Sequence, residues 1–318
     1  MEMKHGIALA LAFAIPMVAA YTTVGQHHKQ TIRKETMQHL KGKNVILTGA
    51  SGGLGKSFAL QLSRCNVKTL VLSGRNLEAL KDVQRLCTDN VQGDEMAIYI
   101  LPCDLSDKQA VNDFSENALR LCNNEVHVLL NNGGISSRSS FLETALDVDE
   151  LLMRVNFFSG AAIAKAVVPR MVASTEPCHI IWVSSIQGLL GTPFRTSYAA
   201  SKFAVQGYCE ALRSELKTDG VTVAVASPGY IRTSLSRSAI QGDGSLYGKM
   251  DKNTEQGVDP DEVAKIILDS AISENKTDFT VAATASAKIG LWLKFFTPKF
   301  LESMLVKRFL KQKEESKI

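Results

Sequence analysis

The stretch that decides the fold is "NVILTGASGGLGKSFALQLSR", residues 44–64. It opens as a short apolar run, Asn44 to Gly49, passes through a glycine cluster, and continues in residues that favour helix to about Arg64. An apolar run without alternation, bounded by glycines, predicts a strand buried on both faces, as parallel sheets require. Gly49, Gly53 and Gly55 form a Gly-x-x-x-Gly-x-Gly spacing, one residue longer than the commoner dinucleotide fingerprint. Its context is the required one, a strand before and a helix after. Glycines there permit a tight turn and let backbone approach a pyrophosphate at the positive end of a helix. A glycine loop alone is weak, so its neighbours must carry the argument.

Outward from this unit the chain keeps alternating. Apolar runs at 68–74, 96–104, 126–132, 179–185, 221–229 and 278–283 read as further strands. Helical patterns separate them at 76–88, 107–122, about 147–174, 196–217 and 259–273. Such alternation predicts an α/β fold: a single Rossmann-like, doubly wound parallel sheet of about seven strands with helices on both faces. The stretch from Ser234 to Asp259 is rich in Gly, Ser and Asp without a period, and a loop that long is usually a lid or binding segment.

Ligands in such sheets bind at the carboxyl ends of the strands, so those ends are the candidate site. The second strand ends "LSGRN" with no acidic residue for a ribose hydroxyl; Arg75 can instead pair with a 2′-phosphate, which favours NADP(H) while leaving NAD(H) possible. Asp104 closes the third strand, either as an adenine acceptor or as the cap of the next helix, a role for which Ser106 competes. "NNGG", residues 131–134, ends the fourth. Asn156 is a polar residue inside a helical pattern, able to hold a water or to lie idle on the surface. Ser185 and Ser184 compete at the end of the fifth strand, since alternation turns only one toward the site. Pro228 and Gly229 form a turn after the sixth.

The chemistry is expected at "TSYAASK", residues 196–202. Thr196 and Ser197 suit a helix start, and the four-residue spacing sets Tyr198 and Lys202 on one helix face. A cation near a phenol favours the phenolate and lowers its pKa from about 10. A phenol so tuned can relay a proton to or from a reacting oxygen.

TGASGGLG, NNGG, the helical Asn156, VSS, YAASK and SPG, in that order, resemble the short-chain dehydrogenase/reductase family, and within it the membrane-associated members. The resemblance covers residues 43–283. It implies Tyr198 as general acid/base and Ser185 as the group that polarises the substrate carbonyl. Lys202 would bind the nicotinamide ribose, and Asn156 would hold a water of the proton relay. It further implies cofactor contacts at Gly49, Ser51, Gly53, Leu54, Gly55, Asp104, Leu105, Asn132, Gly133, Pro228, Gly229, Ile231 and Thr233. Two departures stand out. Gly133 replaces the family's alanine, which should loosen packing, and Gly52 stands where some NADP-preferring relatives carry a basic residue. Homo-oligomers are expected on the same ground. The substrate walls are expected in residues 186–194, including Gln187 and Phe194, at Tyr230, and around Tyr247 and Met250. They are mostly apolar, which suits a lipophilic carbonyl: a steroid, a retinoid or a long-chain lipid ketone.

The ends differ from the middle. Residues 6–25 carry no charge and approach the length of a bilayer span. We read residues 1–28 as a retained membrane anchor, with a cleaved secretory signal as the alternative, and 29–42 as a basic linker. The lysines and arginines after the anchor put the catalytic domain in the cytosol; the membrane expected is the endoplasmic reticulum or peroxisome, with secretion if the segment is cleaved. Residues 284–318 mix Leu, Trp and Phe with lysines, as amphipathic helices do that lie on a membrane or close an apolar mouth. Net charge is only +4 and no basic stripe carries interleaved aromatics, so nucleic acid is not expected. The six cysteines are scattered without Cys-x-x-Cys, which argues for buried thiols rather than a metal site or disulfides. The competing functional class is a membrane-bound scaffold or sensor that binds NADP(H) without turnover.

Overall fold

The computed structural model describes residues 28–91 and 96–315; the apolar stretch at 6–25 lies outside them. Seven strands form one sheet: β1 (Asn44–Leu47), β2 (Thr69–Gly74), β3 (Ala97–Pro102), β4 (Val128–Asn131), β5 (Cys178–Val183), β6 (Val221–Pro228) and β7 (Asp278–Val281). Their order is β3-β2-β1-β4-β5-β6-β7, and every pairing is parallel. Strand order reverses between β1 and β4. The loops leaving these two strands therefore diverge and open a crevice at the carboxyl edge.

Side-chain alternation builds two apolar layers. Val45, Leu47, Leu70, Leu72, Val128 and Leu130 point to one face, under α2 (Gly53–Arg64), α3 (Leu77–Thr88) and α9 (Pro260–Leu268). Ile46, Val71, Leu129, Ile180 and Trp182 point to the other, under α4 (Lys108–Leu121), α6 (Ser159–Val172) and α7 (Thr196–Glu215). Asn76, Asp107 and Asp259 cap α3, α4 and α9 with their side chains. Thr196 and Ser197 do not cap α7: Arg195 holds that position without a side-chain bond, and Ser197 is buried in the helix. The long helix expected at 147–174 runs as α5 (Leu146–Met153), a π turn (Arg154–Phe158) and α6. Taken together, Leu146–Val172 is the one helix among the described residues long and apolar enough to cross a bilayer. Here Ile163, Val167 and Met171 serve the core instead.

The stretch expected as a basic linker is a helix, α1, over residues 28–40. Thr36 and Leu40, one turn apart, are buried. Arg33 donates to Asp269 at 3.2 Å and to Gln61 at 2.7 Å, and the hydroxyls of Thr36 and Ser273 are bonded at 2.8 Å. The basic composition disguised a spacing of i, i+3, i+7 that latches this helix to α2 and to the π turn (Asp269–Ser273) after α9. The loop from Ser234 holds only a 3-10 turn and the four-residue α8 (Lys252–Glu255). The chain closes with α10 (Ala285–Phe296) and α11 (Pro298–Glu315).

Candidate active site

The carboxyl edge of the sheet opens on a cavity of about 750 Å³. Its floor begins at the glycine loop. Gly49 and Gly53 have φ of +68° and +52°, in the left-handed region that favours glycine. At Gly55 the reason is space: a Cβ would stand 1.9 Å from the carbonyl oxygen of Gly49. Asn132 fastens this turn from the next strand, its amide donating to the carbonyls of Thr48 and Gly49 at 3.1 and 3.2 Å. The start of α2 has no side-chain cap, so its N–H groups face the cavity. Ser51 and Leu54 line the same wall. Thr233 approaches from across it, with its Cβ 3.2 Å from where a Gly53 side chain would begin. Pro228, Gly229 and Ile231 continue that opposite side.

Arg75 is exposed at the cavity's end, and Asp104 sits within reach of its charge. Burial pulls the Asp104 carboxyl upward, but hydrogen bonds from Ser106 and the Arg75 guanidinium hold it below its usual range. Asp104 accepts from the Ser106 backbone at 2.9 Å and hydroxyl at 2.8 Å. Neither residue caps α4; Asp107 does, accepting from Gln109 and Ala110. Gly133 does not loosen the packing as expected. Leu105 fills the room, with its Cδ1 2.5 Å from where a Cβ would stand.

Asn156, Ser185, Tyr198 and Lys202 come from three elements to one place. Asn156 lies in the π turn and is buried. It accepts from the Ile135 N–H at 2.8 Å and donates to the Ile135 carbonyl and the Ser201 hydroxyl, each at 2.9 Å. The widened turn thus rotates a polar side chain into the core, where it ties α7 to the loop after β4. Gly134 leaves room for this: a Cβ there would meet Asn156 at 3.0 Å and the Lys202 ammonium at 3.4 Å. Both serines line the cavity, but Ser184 is engaged, accepting from Gln206 and donating to the Lys202 carbonyl. Ser185 lines the cavity beside Tyr198 and accepts from the Gln187 N–H at 3.1 Å.

Lys202 and Tyr198 share one face, with the ammonium 5.9 Å from the ring centroid. The Lys202 ammonium donates to the Val183 carbonyl at 2.9 Å. Burial lowers the Lys202 pKa to about 8. Burial also raises Tyr198, opposed by the Ser185 hydroxyl and the charge of Arg138. The phenol therefore stands above its ordinary range, where the spacing led us to expect it below, and the nearby Lys202 ammonium is bonded to the strand end. A phenol raised in this way is protonated at neutral pH and can donate.

Arg138 is the residue that spacing did not reveal. It lines the cavity, donates to Asp251 at 2.7 Å and lies over the Tyr247 ring at 5.9 Å. Its Nη1 is buried without a protein partner, as is Oε1 of Gln187, another lining residue. Arg195 braces the same corner, donating to Ser136 at 2.8 Å and the Ser137 carbonyl at 3.1 Å. The available signal was position alone: Arg138 lies four residues beyond NNGG, and Arg195 three before Tyr198.

The expected substrate walls divide. Gln187 and Tyr230 line the cavity with Ile186, Leu190 and Thr192. Phe194 does not; its φ of +63° turns the ring away to stack on Phe309, centroids 5.3 Å apart. Tyr247 and Met250 lie behind Arg138 and Ser236 rather than in the wall. The C-terminal helices replace them. Leu293 and Leu301 pack on Leu190, and Lys294 donates to the Leu189 carbonyl at 2.6 Å, so α10 and α11 form the apolar end of the cavity.

Residues 43–243 match the family model described as short chain dehydrogenase. Similar proteins include Dehydrogenase/reductase SDR family member 7B of Xenopus tropicalis, 35% identical over 94% of this chain and 96% of the relative. The Mus musculus protein of the same name is 40% identical over 78% and 75% of the two chains. Among solved structures, a short chain dehydrogenase/reductase from Burkholderia phymatum in complex with NAD matches with a TM-score of 0.68 at 22% identity, covering 80% of this chain and 93% of its own. A Sphingobium yanoikuyae short-chain dehydrogenase in complex with NADPH matches at 0.65 and 22%, covering 78% and 91%.

Proposed function

The chain belongs to the short-chain dehydrogenase/reductase family, and from that premise we propose that it reduces a lipophilic ketone or aldehyde with NADPH, Tyr198 giving the proton. The observation that carries this is the meeting of Ser185, Tyr198 and Lys202 in one cavity with the glycine turn. The cavity fits a dinucleotide on its own geometry: a glycine cradle that side chains would fill, uncapped helix N–H groups at one end, and buried polar side chains at the other. Gly49, Ser51, Gly53, Leu54 and Gly55 hold the pyrophosphate, Arg75 the 2′-phosphate, Asp104 and Leu105 the adenine, and Lys202 the nicotinamide ribose. Asn132, Gly133, Pro228, Gly229, Ile231 and Thr233 border the ring. Bound there, the cofactor supplies a hydride to the carbonyl carbon.

The protein's own part is to place the carbonyl and meet its charge. Ser185 donates to the oxygen as negative charge develops there. Tyr198 protonates it, with Arg138 lowering the cost of the transient phenolate. Lys202 and Asn156 keep the phenol's face of α7 fixed to the strand end and the loop after β4. Leu190, Gln187, Tyr230 and the C-terminal helices receive the substrate's apolar body, which favours a steroid, a retinoid or a long-chain lipid ketone. The protein acts on a membrane, held by residues 6–25 with this domain in the cytosol, as a homo-oligomer. A scaffold that binds NADP(H) without turnover is the weaker reading, since it has no use for Ser185 and Tyr198 meeting beside the cradle.

A panel of lipophilic carbonyls followed by NADPH absorbance tests the reading, and turnover of at least one is expected. Arg75→Ala should raise KM for NADPH by about tenfold or more while leaving that for NADH nearly unchanged, the loss of one charge-assisted contact. Equal effects on both cofactors would remove Arg75 from the account.

A further inference from the structure

The C-terminal helices have two apolar faces. The inner one, Leu293 and Leu301, is buried against Leu190. The outer one has no partner among the described residues: Trp292 is 56% exposed, Phe295 79%, Phe296 67% and Phe300 58%. Trp292 and Phe296 lie one turn apart with ring centroids at 4.9 Å. Large apolar side chains gathered on a surface mark a docking site. Two residues join this surface to the cavity. Ile289 and Met304 line the cavity and are also 56% and 47% exposed, so the cavity reaches the outside at the same face. The charge around it is one-sided: residues 285–315 carry seven Lys or Arg against three Glu, and Lys288, Lys299, Lys307 and Lys311 are exposed. Aromatic and aliphatic residues ringed by lysines suit a bilayer with anionic headgroups.

We propose that α10 and α11 seat their outer face in an anionic bilayer surface, so that the cavity opens into the lipid between Ile289 and Met304 and takes its substrate directly from the membrane. The inference rests on the proposed function for the identity of the cavity, and it narrows the substrate to a membrane-dissolved amphiphile. The arrangement explains why aromatic rings stand exposed at the mouth of an apolar cavity. It also makes the C-terminal helices a surface contact separate from the stretch at 6–25.

The two tryptophans permit a direct test on the full chain. Trp182 is buried in the core, and Trp292 is on the outer face. The chain is reconstituted in vesicles of phosphatidylcholine and phosphatidylserine, with and without bromine on the acyl chains. Trp292 emission should fall by about half or more with brominated lipid, the rings sitting at the headgroup–acyl boundary. Trp292→Phe should abolish the quenching, and Met304→Trp in that background should restore it at the mouth. Quenching should be stronger with phosphatidylserine than with phosphatidylcholine alone. Equal emission in brominated and ordinary vesicles would overturn the proposal, whether residues 6–25, a second copy or another protein covers the face. Cofactor binding verifies that each variant is folded. Quenching is read without turnover, so its failure and a failure to reduce any carbonyl remain separate results.

Discussion

At the scale of single residues, the site works by burying ionisable groups and compensating them unequally. Lys202 is 5% exposed and its pKa is lowered to about 8 from 10.5. Between those values the unfolded chain binds the proton that the folded one has released, so stability rises with pH across that window. Chemical denaturation of the cofactor-free protein should therefore show the wild type gaining on Lys202→Met from pH 8 to 10.5, and a parallel response in the two would contradict this placement of the ammonium. Arg138 acts on Tyr198 by charge. Arg138→Gln should lower kcat by roughly tenfold, while Arg138→Lys recovers part of it; one charge near a developing phenolate supplies about that much. Dependence on side-chain charge separates this role from mere packing, since Gln and Lys both fill the space. Tyr198, Lys202 and Ser185 were legible because short-range spacing on a helix or strand fixes which face they share. Arg138 was not, since its place depends on the path of the loop after β4 and on Asp251, 113 residues away. Phe194 was misread for a similar reason: one positive φ reverses its direction.

At the scale of elements, the glycine turn is rigid because backbone fills it. Gly55→Ala would drive a Cβ to 1.9 Å from the Gly49 carbonyl, and should cost about 3 kcal/mol by denaturant unfolding, with loss of cofactor binding. Gly133→Ala meets chiefly the end of the Leu105 side chain at 2.5 Å, with Thr48 Oγ1 next at 3.3 Å, so it should be milder, and Leu105→Ala should relieve most of it in the double variant. Near-normal stability of Gly55→Ala would mean that the turn is looser than described. The strands were legible because apolar runs between turn signals have few other readings, as "VHVLLNN" and "VTVAVASPG" illustrate. Helix α1 was not. Its lysines and arginines set the composition of a linker, while its fixed side chains, Arg33, Thr36 and Leu40, are few, and Arg33 and Thr36 find partners over 200 residues on. The π turn at Asn156 was legible only as an oddity, a polar residue in a helical pattern, because a one-residue widening leaves no periodic trace.

At the scale of the whole molecule, a doubly wound sheet supplies the cofactor edge, and the additions at its ends supply the setting. The sheet was fully legible as a class, since alternation of strand and helix leaves one economical arrangement. The partition of the cavity was not, because it depends on α10 and α11 folding back over the β5–α7 loop to meet Leu190. All six cysteines are buried and free, as their scatter suggested, and burial raises the pKa of each thiol. They should therefore react with thiol reagents only on unfolding; fast labelling of the native protein would contradict this packing. The central claim is that Tyr198 hands a proton to a substrate oxygen beside a bound nicotinamide. Single-turnover NADPH oxidation by Tyr198→Phe against wild type, on a carbonyl that the wild type reduces, tests it most directly. A fall of about 10³-fold or more with cofactor affinity within a few-fold of wild type is predicted; a variant that turns over at the wild-type rate would contradict it.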